Sequence, residues 1–371
     1  MKLTKYKLGE LIRQRRQKND SCDLPICGVT REGFIPPKQQ DADTSLYNVF
    51  YLKDFVFNPA RMELNAIVFN DRYDKAICSS LYEVFYVYRS DIILPEYLAL
   101  LVKQDWFTRY CEFMGSGSAR EYCRVANISE LEIEVPPIEI QAAIARNHHI
   151  IRERISLKRR INDNLEAQLS GFYHRFFDNP ENGVSGLIAD LGEVVGGATP
   201  STNNPAYFCD DGIAWISPKD LTGTGLKFIY RGEQCITESA YNSCSTKLMP
   251  AGTVLFTSRA PVGTVAIAMN DICTNQGFKS VIPKKEIGTA FVYYFLKENK
   301  QLIESHASGT TFMEVSGNVL KNIPAIVPKP EVAAQFTAIC IPLFNEQRKN
   351  ELEIGRLQEL QQALVSSISS R

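Results

Sequence analysis

No CxxC pair occurs among the ten cysteines of this 371-residue chain, and no His–Cys grouping has zinc-ligand spacing. The pattern gives no reason to expect a structural metal. Scattered thiols without a secretory leader point instead to reduced cysteines in the cytoplasm. Long apolar runs are also missing. Nothing approaches the roughly 20 residues that span a bilayer, so a membrane is not an expected partner. Neither sign of charge is in excess: 41 basic and 42 acidic residues leave a formal net charge of −1. Nucleic-acid binders often carry a basic surplus, so any such face here has to be local or helped by partner subunits.

Catalytic patterns are equally sparse. The four histidines are His148, His149, His174 and His306; three lie on or beside one long helical stretch, and none accompanies a nucleophile motif. Gly192, Gly196 and Gly197 lead into Thr199-Pro200-Ser201-Thr202, which supplies neither a GK[ST] nor a helix, so a P-loop and a dinucleotide turn are excluded. The Asn/Asp-Pro-Pro-aromatic tetrad of a DNA methyltransferase is absent, and Asn58-Pro59-Ala60-Arg61 lacks its second proline and aromatic. The chain is expected to catalyse nothing alone, and to hold no metal or cofactor of its own.

What the chain does have is a repeat. Within 139–177, Ile151, Ile155, Leu165, Leu169, Phe172 and Phe176 fall at a and d positions of a heptad, with Lys158 and Asn162 in the two polar places. A shift of 192 residues returns the register as Leu343, Gln347, Asn350, Ile354, Leu357, Gln361, Leu364 and Ile368. Each stretch follows an alternating strand stopped by prolines: Leu131, Ile133 and Val135 before Pro136-Pro137, then Ile323, Ala325 and Val327 before Pro328. Further pairs recur in order, Leu8–Ile12 with Leu191–Val195, Val56-Phe57 and Arg61 with Val254-Leu255 and Arg259, and Ile77-Cys78 with Ile272-Cys273. Ser116-Gly117-Ser118 answers Ser308-Gly309-Thr310. One helix paired to another in the same chain is the simplest use of such a duplication.

Between these markers, 48–59 and 76–88 read as strand regions, and 94–113 as a helix burying Tyr97, Leu98, Leu101 and Trp106. Helix is also expected over 289–305, with strands over 252–256 and 264–269. The stretch 179–183, Asn-Pro-Glu-Asn-Gly, reads as a linker ending the first long helix. Pro342 predicts a kink or a late start in the second.

The polar residues cluster in two places. Residues 1–20 hold Lys2, Lys5, Lys7, Arg13, Arg15, Arg16 and Lys18 against only Glu10 and Asp20. In the second half, Thr199, Ser201, Lys219, Ser258, Arg259, Asn275, Gln276 and Lys279 sit in loops on a strand scaffold. Arg and Lys suit guanine edges and phosphates, Asn and Gln suit adenine edges, and hydroxyls suit either. Arg61, Ser79 and Ser80 are the corresponding candidates in the first half. Each of these is also an ordinary turn, cap or solvated surface residue when taken singly.

The ordered strings GGATPST, AWISPKDL, AGTVLFTSRAPVG, TNQGF and SGTT resemble the second target-recognition domain of a type I restriction–modification specificity subunit. DFVFNPAR, SSLYEVF, GSGS and VPPIEIQAAI are similar to the family's other target-recognition variants. The resemblance covers essentially the whole chain. It implies an α+β protein with two α/β target-recognition domains in tandem, over 1–130 and 184–322. Strand-plus-helix segments 131–183 and 323–371 would form two long antiparallel coiled-coil helices with internal pseudo-two-fold symmetry. It further implies double-stranded DNA as ligand, read as a bipartite gapped sequence. Modification methyltransferase and restriction motor-nuclease subunits would be the partners, and those would carry S-adenosylmethionine, ATP and Mg²⁺. After the prolines the family usually has an acid–glutamine pair; here stand Ile140-Gln141 and Ala333-Ala334-Gln335. A stand-alone DNA-modifying enzyme and a coiled-coil scaffold without DNA readout are the rival readings.

Overall fold

The computed structural model describes residues 3–21, 23–37, 43–115, 122–259, 261–308 and 313–369, excluding the side chains of Thr224 and Ser369. The residues of the two small-residue turns, 116–118 and 309–310, lie outside these. Contacts divide the chain into two units, Met1–Ile155 with Arg356–Arg371, and Ser156–Gly355.

In the first unit the chain opens as strand Thr4–Lys7, antiparallel to Glu132–Val135 with Thr4 opposite Val135. Leu131, Ile133 and Val135 are buried and Glu132 faces out, so the alternation read from sequence is the alternation of burial. The next strand, Ile12–Arg15, edges an antiparallel sheet ordered Ile12–Arg15, Glu83–Val87, Phe55–Phe57, Ile67–Phe69. A second sheet is ordered Phe34–Ile35, Ile26–Val29, Lys75–Cys78, Asn48–Tyr51. Phe55, Phe57 and Phe85 are wholly buried, each contributing about 1.5–3 kcal/mol of transfer free energy.

The single helix expected over 94–113 is two, Pro95–Leu101 and Asp105–Gly115. The amides of Gln104 and Phe107 turn back to Leu101 and Gln104, and Asp105 opens the second helix, where a carboxylate suits the dipole. The break shifts the helical phase. Phe107 and Cys111 enter the core, and Trp106, expected there, is half-buried.

The second unit repeats the order of connections. Strand Gly183–Leu187 is antiparallel to Pro324–Pro328. This corrects the linker reading of 179–183: Asn179 accepts the Glu181 amide at 3.0 Å to start a 3₁₀ turn, and Gly183 is already strand. A side chain at Gly183 would collide with Ile326, which is why a glycine-rich stretch pairs here. Gly192–Gly196 then edges a sheet ordered Gly192–Gly196, Lys279–Pro283, Val254–Phe256, Val265–Ala268, Phe228–Ile229. The other sheet is ordered Phe208–Cys209, Cys235–Ile236, Ile213–Ile216, Cys273–Thr274. The sequence pairs land in like places. Val56 faces Val84 as Val254 faces Val281, and Cys78 and Cys273 each lie on a strand parallel to its neighbour. The helix expected over 289–305 breaks at Asn299 into Thr289–Glu298 and Lys300–Ser305. Ala290 through Leu296 are all buried, as in a helix surrounded by core.

Two helices of 40 residues complete the chain, Ile138–Phe177 and Pro330–Ser369. Proline at the first position costs no hydrogen bond, so the second helix starts at Pro330 and remains helical across Pro342. The late start is therefore ruled out; Pro342 removes only the donor that the Ala338 carbonyl would meet.

Candidate nucleic-acid interface

In the first unit, the strand Ile12–Arg15 and its extension deliver a run of cations to one edge. Their environments differ. Arg15 is a brace: its Nε and Nη2 donate to Asp54 at 2.6 and 3.0 Å, and its guanidinium lies over Tyr51 and Tyr86. Asp54 is nearly inaccessible, and burial pushes its carboxyl up against the pull of Arg15. Arg15 is accordingly reassigned from reader to scaffold. Arg13 lies over Tyr88, exposed, and Arg16 is exposed with Nε donating to Gln14 at 2.9 Å. Lys18 donates to the Leu46 carbonyl and to Asn48 Oδ1.

Arg15, Arg16, Lys18, Asn48, Ser80 and Arg124 line one groove of about 390 Å³. Arg124 was not legible in the sequence, because only the tertiary fold carries it beside Arg16. It caps helix Val125–Ser129, is exposed, and reaches Glu83 at 3.2 Å. Ser79 lies outside the groove's lining and accepts the Leu81 amide, a turn role. Arg61 sits exposed on a 3₁₀ turn, also away from that lining. The groove gathers four cations, Arg15, Arg16, Lys18 and Arg124, with the acid Glu83, on a chain whose net charge is near neutral. Arg16→Ala and Arg124→Ala are expected to weaken duplex binding by about 1–3 kcal/mol each if they touch bases, measured by anisotropy titration. Wild-type affinity in both variants would remove the groove from the interface.

In the second unit, the glycine pair positions the loop. A Cβ at Gly197 would collide with the carbonyls of Thr274 and Asn275, so only glycine lets 197–204 lie against the TNQGF turn. The Ala198 amide then donates to Thr274 at 3.0 Å, and Trp215 Nε1 to the Ala198 carbonyl at 3.1 Å. Thr199 consequently hydrogen-bonds Gln276. Ser258 is corrected: it is wholly buried, its hydroxyl donating to the Gly277 carbonyl at 3.2 Å. Asn275 accepts the Gly277 amide at 2.8 Å and shapes the turn. Arg259 and Lys279 both approach Glu314, at 3.0 and 3.6 Å. Lys219 pairs with Glu233 at 3.0 Å on the surface, and Ser201 is exposed.

The heptad residues are packed within the chain. Ile151, Ile155, Leu169 and Ile354 are buried; Leu165, Phe172, Phe176, Leu357, Leu364 and Ile368 are half-buried. Toward Phe177 the buried positions become Leu169, Tyr173 and Phe177, spaced by four, because this end enters an aromatic core with Phe291 and Phe336. The resemblance casts these ten as spacer and partner-binding positions; four of them are buried and six keep part of their surface. The polar places are bonded rather than solvated. Lys158 donates to Asn350 at 2.8 Å, Asn162 to the Gln347 carbonyl at 3.1 Å, and Asn350 to Asn162 at 2.8 Å. Gln361 meets His148 at 2.9 Å. Gln141 is fully buried, and so is Ala333 in the matching place.

Among the described residues no helix is long and apolar enough to cross a membrane, and no cluster of His, Cys, Asp and Glu could hold a metal ion. The family model described as "Type I restriction modification DNA specificity domain" matches twice, over residues 33–167 and 180–362. The MjaIX specificity subunit of Methanocaldococcus jannaschii is 42% identical over 172 residues, 44% of this chain and 39% of that protein. The HindI specificity subunit of Haemophilus influenzae is 28% identical over 181 residues, 48% of this chain and 39% of that one. The matched parts thus span about two fifths of these relatives' lengths. A crystal structure of a type I restriction–modification S subunit from M. genitalium aligns with TM-score 0.65 at 14% identity, covering 99% of this chain and 96% of that one. At that identity the likeness is one of fold.

Proposed function

This chain belongs to the family of type I restriction–modification DNA specificity proteins, carrying its domain twice, and from that premise we propose that it reads a bipartite DNA sequence. Residues 1–130 and 184–322 would each read one half-site, and 131–183 with 323–371 would form the spacer. The observation that carries the reading is one sheet scaffold built twice, each copy ending in cationic and polar loops of different composition. A shared scaffold with unlike loops is suited to two unlike half-sites.

The bonds Lys158–Asn350 and Asn162–Gln347 support an antiparallel coiled coil, because rising numbers on one helix meet falling numbers on the other. Buried polar pairs of this kind fix register and orientation at some cost in stability. The helix pair would then set the gap between half-sites and give the chain its pseudo-two-fold symmetry. The chain itself would be non-catalytic and cytoplasmic. A methyltransferase and a motor nuclease would bring S-adenosylmethionine, ATP and Mg²⁺. Exposed apolar side chains on the helices, such as Leu157 and Leu352, are where the methyltransferase would dock.

Exchanging residues 184–322 for those of a relative tests the reading. Methylation mapping in cells carrying the hybrid should show one half-site altered and the other unchanged. Alteration of both halves, or of neither, rejects the two-reader assignment.

A further inference from the structure

Glu314 occupies an unexpected place for an acid in a DNA reader: between two cations of the second unit, the half-exposed Arg259 and the more buried Lys279. Its closest approach to Arg259 is Oε2 to Nε at 3.0 Å, and Oε1 stands 3.6 Å from the Lys279 ammonium. The main chain fixes the arrangement. Ser308 and Glu314 exchange backbone hydrogen bonds of 3.0 and 2.9 Å, and the next amide, Val315, donates to Ser258 at 3.0 Å. Arg259 and Glu314 are themselves bridge partners, and Val315 is wholly buried beside them. Lys279 runs over two glycines, its stem 3.8 Å from a Cβ placed on Gly196 and 3.6 Å from one on Gly317.

We infer that Glu314 is a positioning residue that aims Arg259 at a guanine edge and discourages phosphate from taking both cations. The inference rests on the DNA-reading assignment of residues 184–322. Exposed cations attract phosphate anywhere on a duplex, which strengthens binding without conveying sequence. A carboxylate shared by Arg259 and Lys279 already satisfies part of that attraction and repels an approaching phosphodiester. Guanine O6 and N7 are uncharged acceptors and escape most of that repulsion. They demand two coplanar donors, which the Nη end of an arginine supplies when its Nε side is held. Arg259 is held on its Nε side, and its side chain remains 44% accessible. The acid therefore converts a phosphate clamp into a base reader, a penalty aimed at wrong partners.

The test compares Glu314→Gln and Arg259→Ala in the full chain, using duplexes recovered from a random pool and salt titrations on a non-specific duplex. Glutamine keeps the size of Glu314 and removes its charge. Glu314→Gln should bind the non-specific duplex more tightly, with a salt slope steeper by about one, and should discriminate roughly tenfold less at one guanine position. Arg259→Ala should lose that guanine preference outright. If Arg259→Ala erases it while Glu314→Gln leaves preference and slope at wild type, the role given to Glu314 is wrong and the DNA reading stands. If Arg259→Ala recovers the same sequences as wild type, the base-reading assignment at this loop fails instead. Melting temperatures of both variants report whether folding was disturbed.

Discussion

Glu166→Ala is expected to destabilise the Ser156–Gly355 unit by about 3–5 kcal/mol, the cost of leaving a buried charge without its partner. Lys227 is only 7% exposed and lies among Phe228, Tyr293, Tyr294 and Phe344. Its ammonium donates to Glu166 at 2.7 Å, to Tyr294 at 3.0 Å and to Gln347 at 3.1 Å. Glu166 also receives Lys297 and Gln347. One carboxylate thus joins the first long helix, the second long helix and the buried helix Thr289–Glu298. Without it the Lys227 ammonium keeps two neutral acceptors and loses its directly paired carboxylate; Glu351, which accepts the Lys227 and Phe228 amides, is a further carboxylate nearby. Replacing both partners with apolar residues, Glu166→Leu with Lys227→Met, should recover most of the loss. Denaturant unfolding of the two variants decides the matter: a single-variant cost below about 1 kcal/mol rejects the argument.

Acid titration gives the same interaction a second signature. Burial pushes the Glu166 carboxyl up, but Lys227 and Lys297 overcome it and hold the group down to about 2. Burial also pushes Lys227 down, to about 8, with Glu166 opposing. The two partners point to opposite net effects on stability; the depressed carboxyl is the direction we stand behind, since two ammonium groups face it. A folded-state value below the unfolded one stabilises above about pH 4.5, and the contribution fades as pH falls toward 2. The wild type should lose stability across that window, and Glu166→Ala should show a shallower acid limb.

Gln141→Leu is expected to cost about 2–4 kcal/mol, because it strands three backbone groups at once, that of Pro136 buried and those of Ile92 and Leu94 half-buried. Gln141 accepts the Leu94 amide at 2.9 Å and donates to the carbonyls of Ile92 and Pro136, each at 2.8 Å. Leu94 is the cap residue of helix Pro95–Leu101, which has no side-chain cap of its own. The glutamine therefore ties the start of a long helix to the start of helix Pro95–Leu101. In the matching place Ala333 is buried with nothing to bond. A side chain with no accessible surface cannot contact another protein, so Gln141 serves internal packing in this chain, while Ile140 beside it is exposed. Gln141→Glu should fare no better, since a carboxylate accepts from Leu94 but cannot donate to two carbonyls. A loss under about 1 kcal/mol in thermal unfolding would count against this role.

The sequence carried the periodic features. Strict alternation at Leu131, Ile133 and Val135 fixed which face of that strand is buried. Heptad spacing, repeated after 192 residues, marked both long helices, and the ordered motif strings marked two scaffolds of one kind. Missing catalytic tetrads and glycine loops bounded the chemistry. Short or glycine-rich pairings escaped, as at Gly183–Leu187, because five residues of GVSGL show neither alternation nor β-branched enrichment. Local hydrogen bonds that break a helix, as before Asp105, escaped for the same reason.

Which polar residues are presented was decided only in three dimensions. Arg13, Arg15 and Arg16 look alike in the chain, yet Asp54 claims Arg15 from 39 positions away. Ser258 and Arg259 are neighbours, one wholly buried and the other reaching Glu314. Arg124 reaches the groove of Arg16 from a distant helix cap, and the polar heptad residues find one another across the helix pair. Backbone pattern follows from the periodicity of side-chain direction, which the linear sequence records. The fate of an individual charge or hydroxyl depends on partners brought in from elsewhere in the chain, and those are specified only once the sheets and helices have packed.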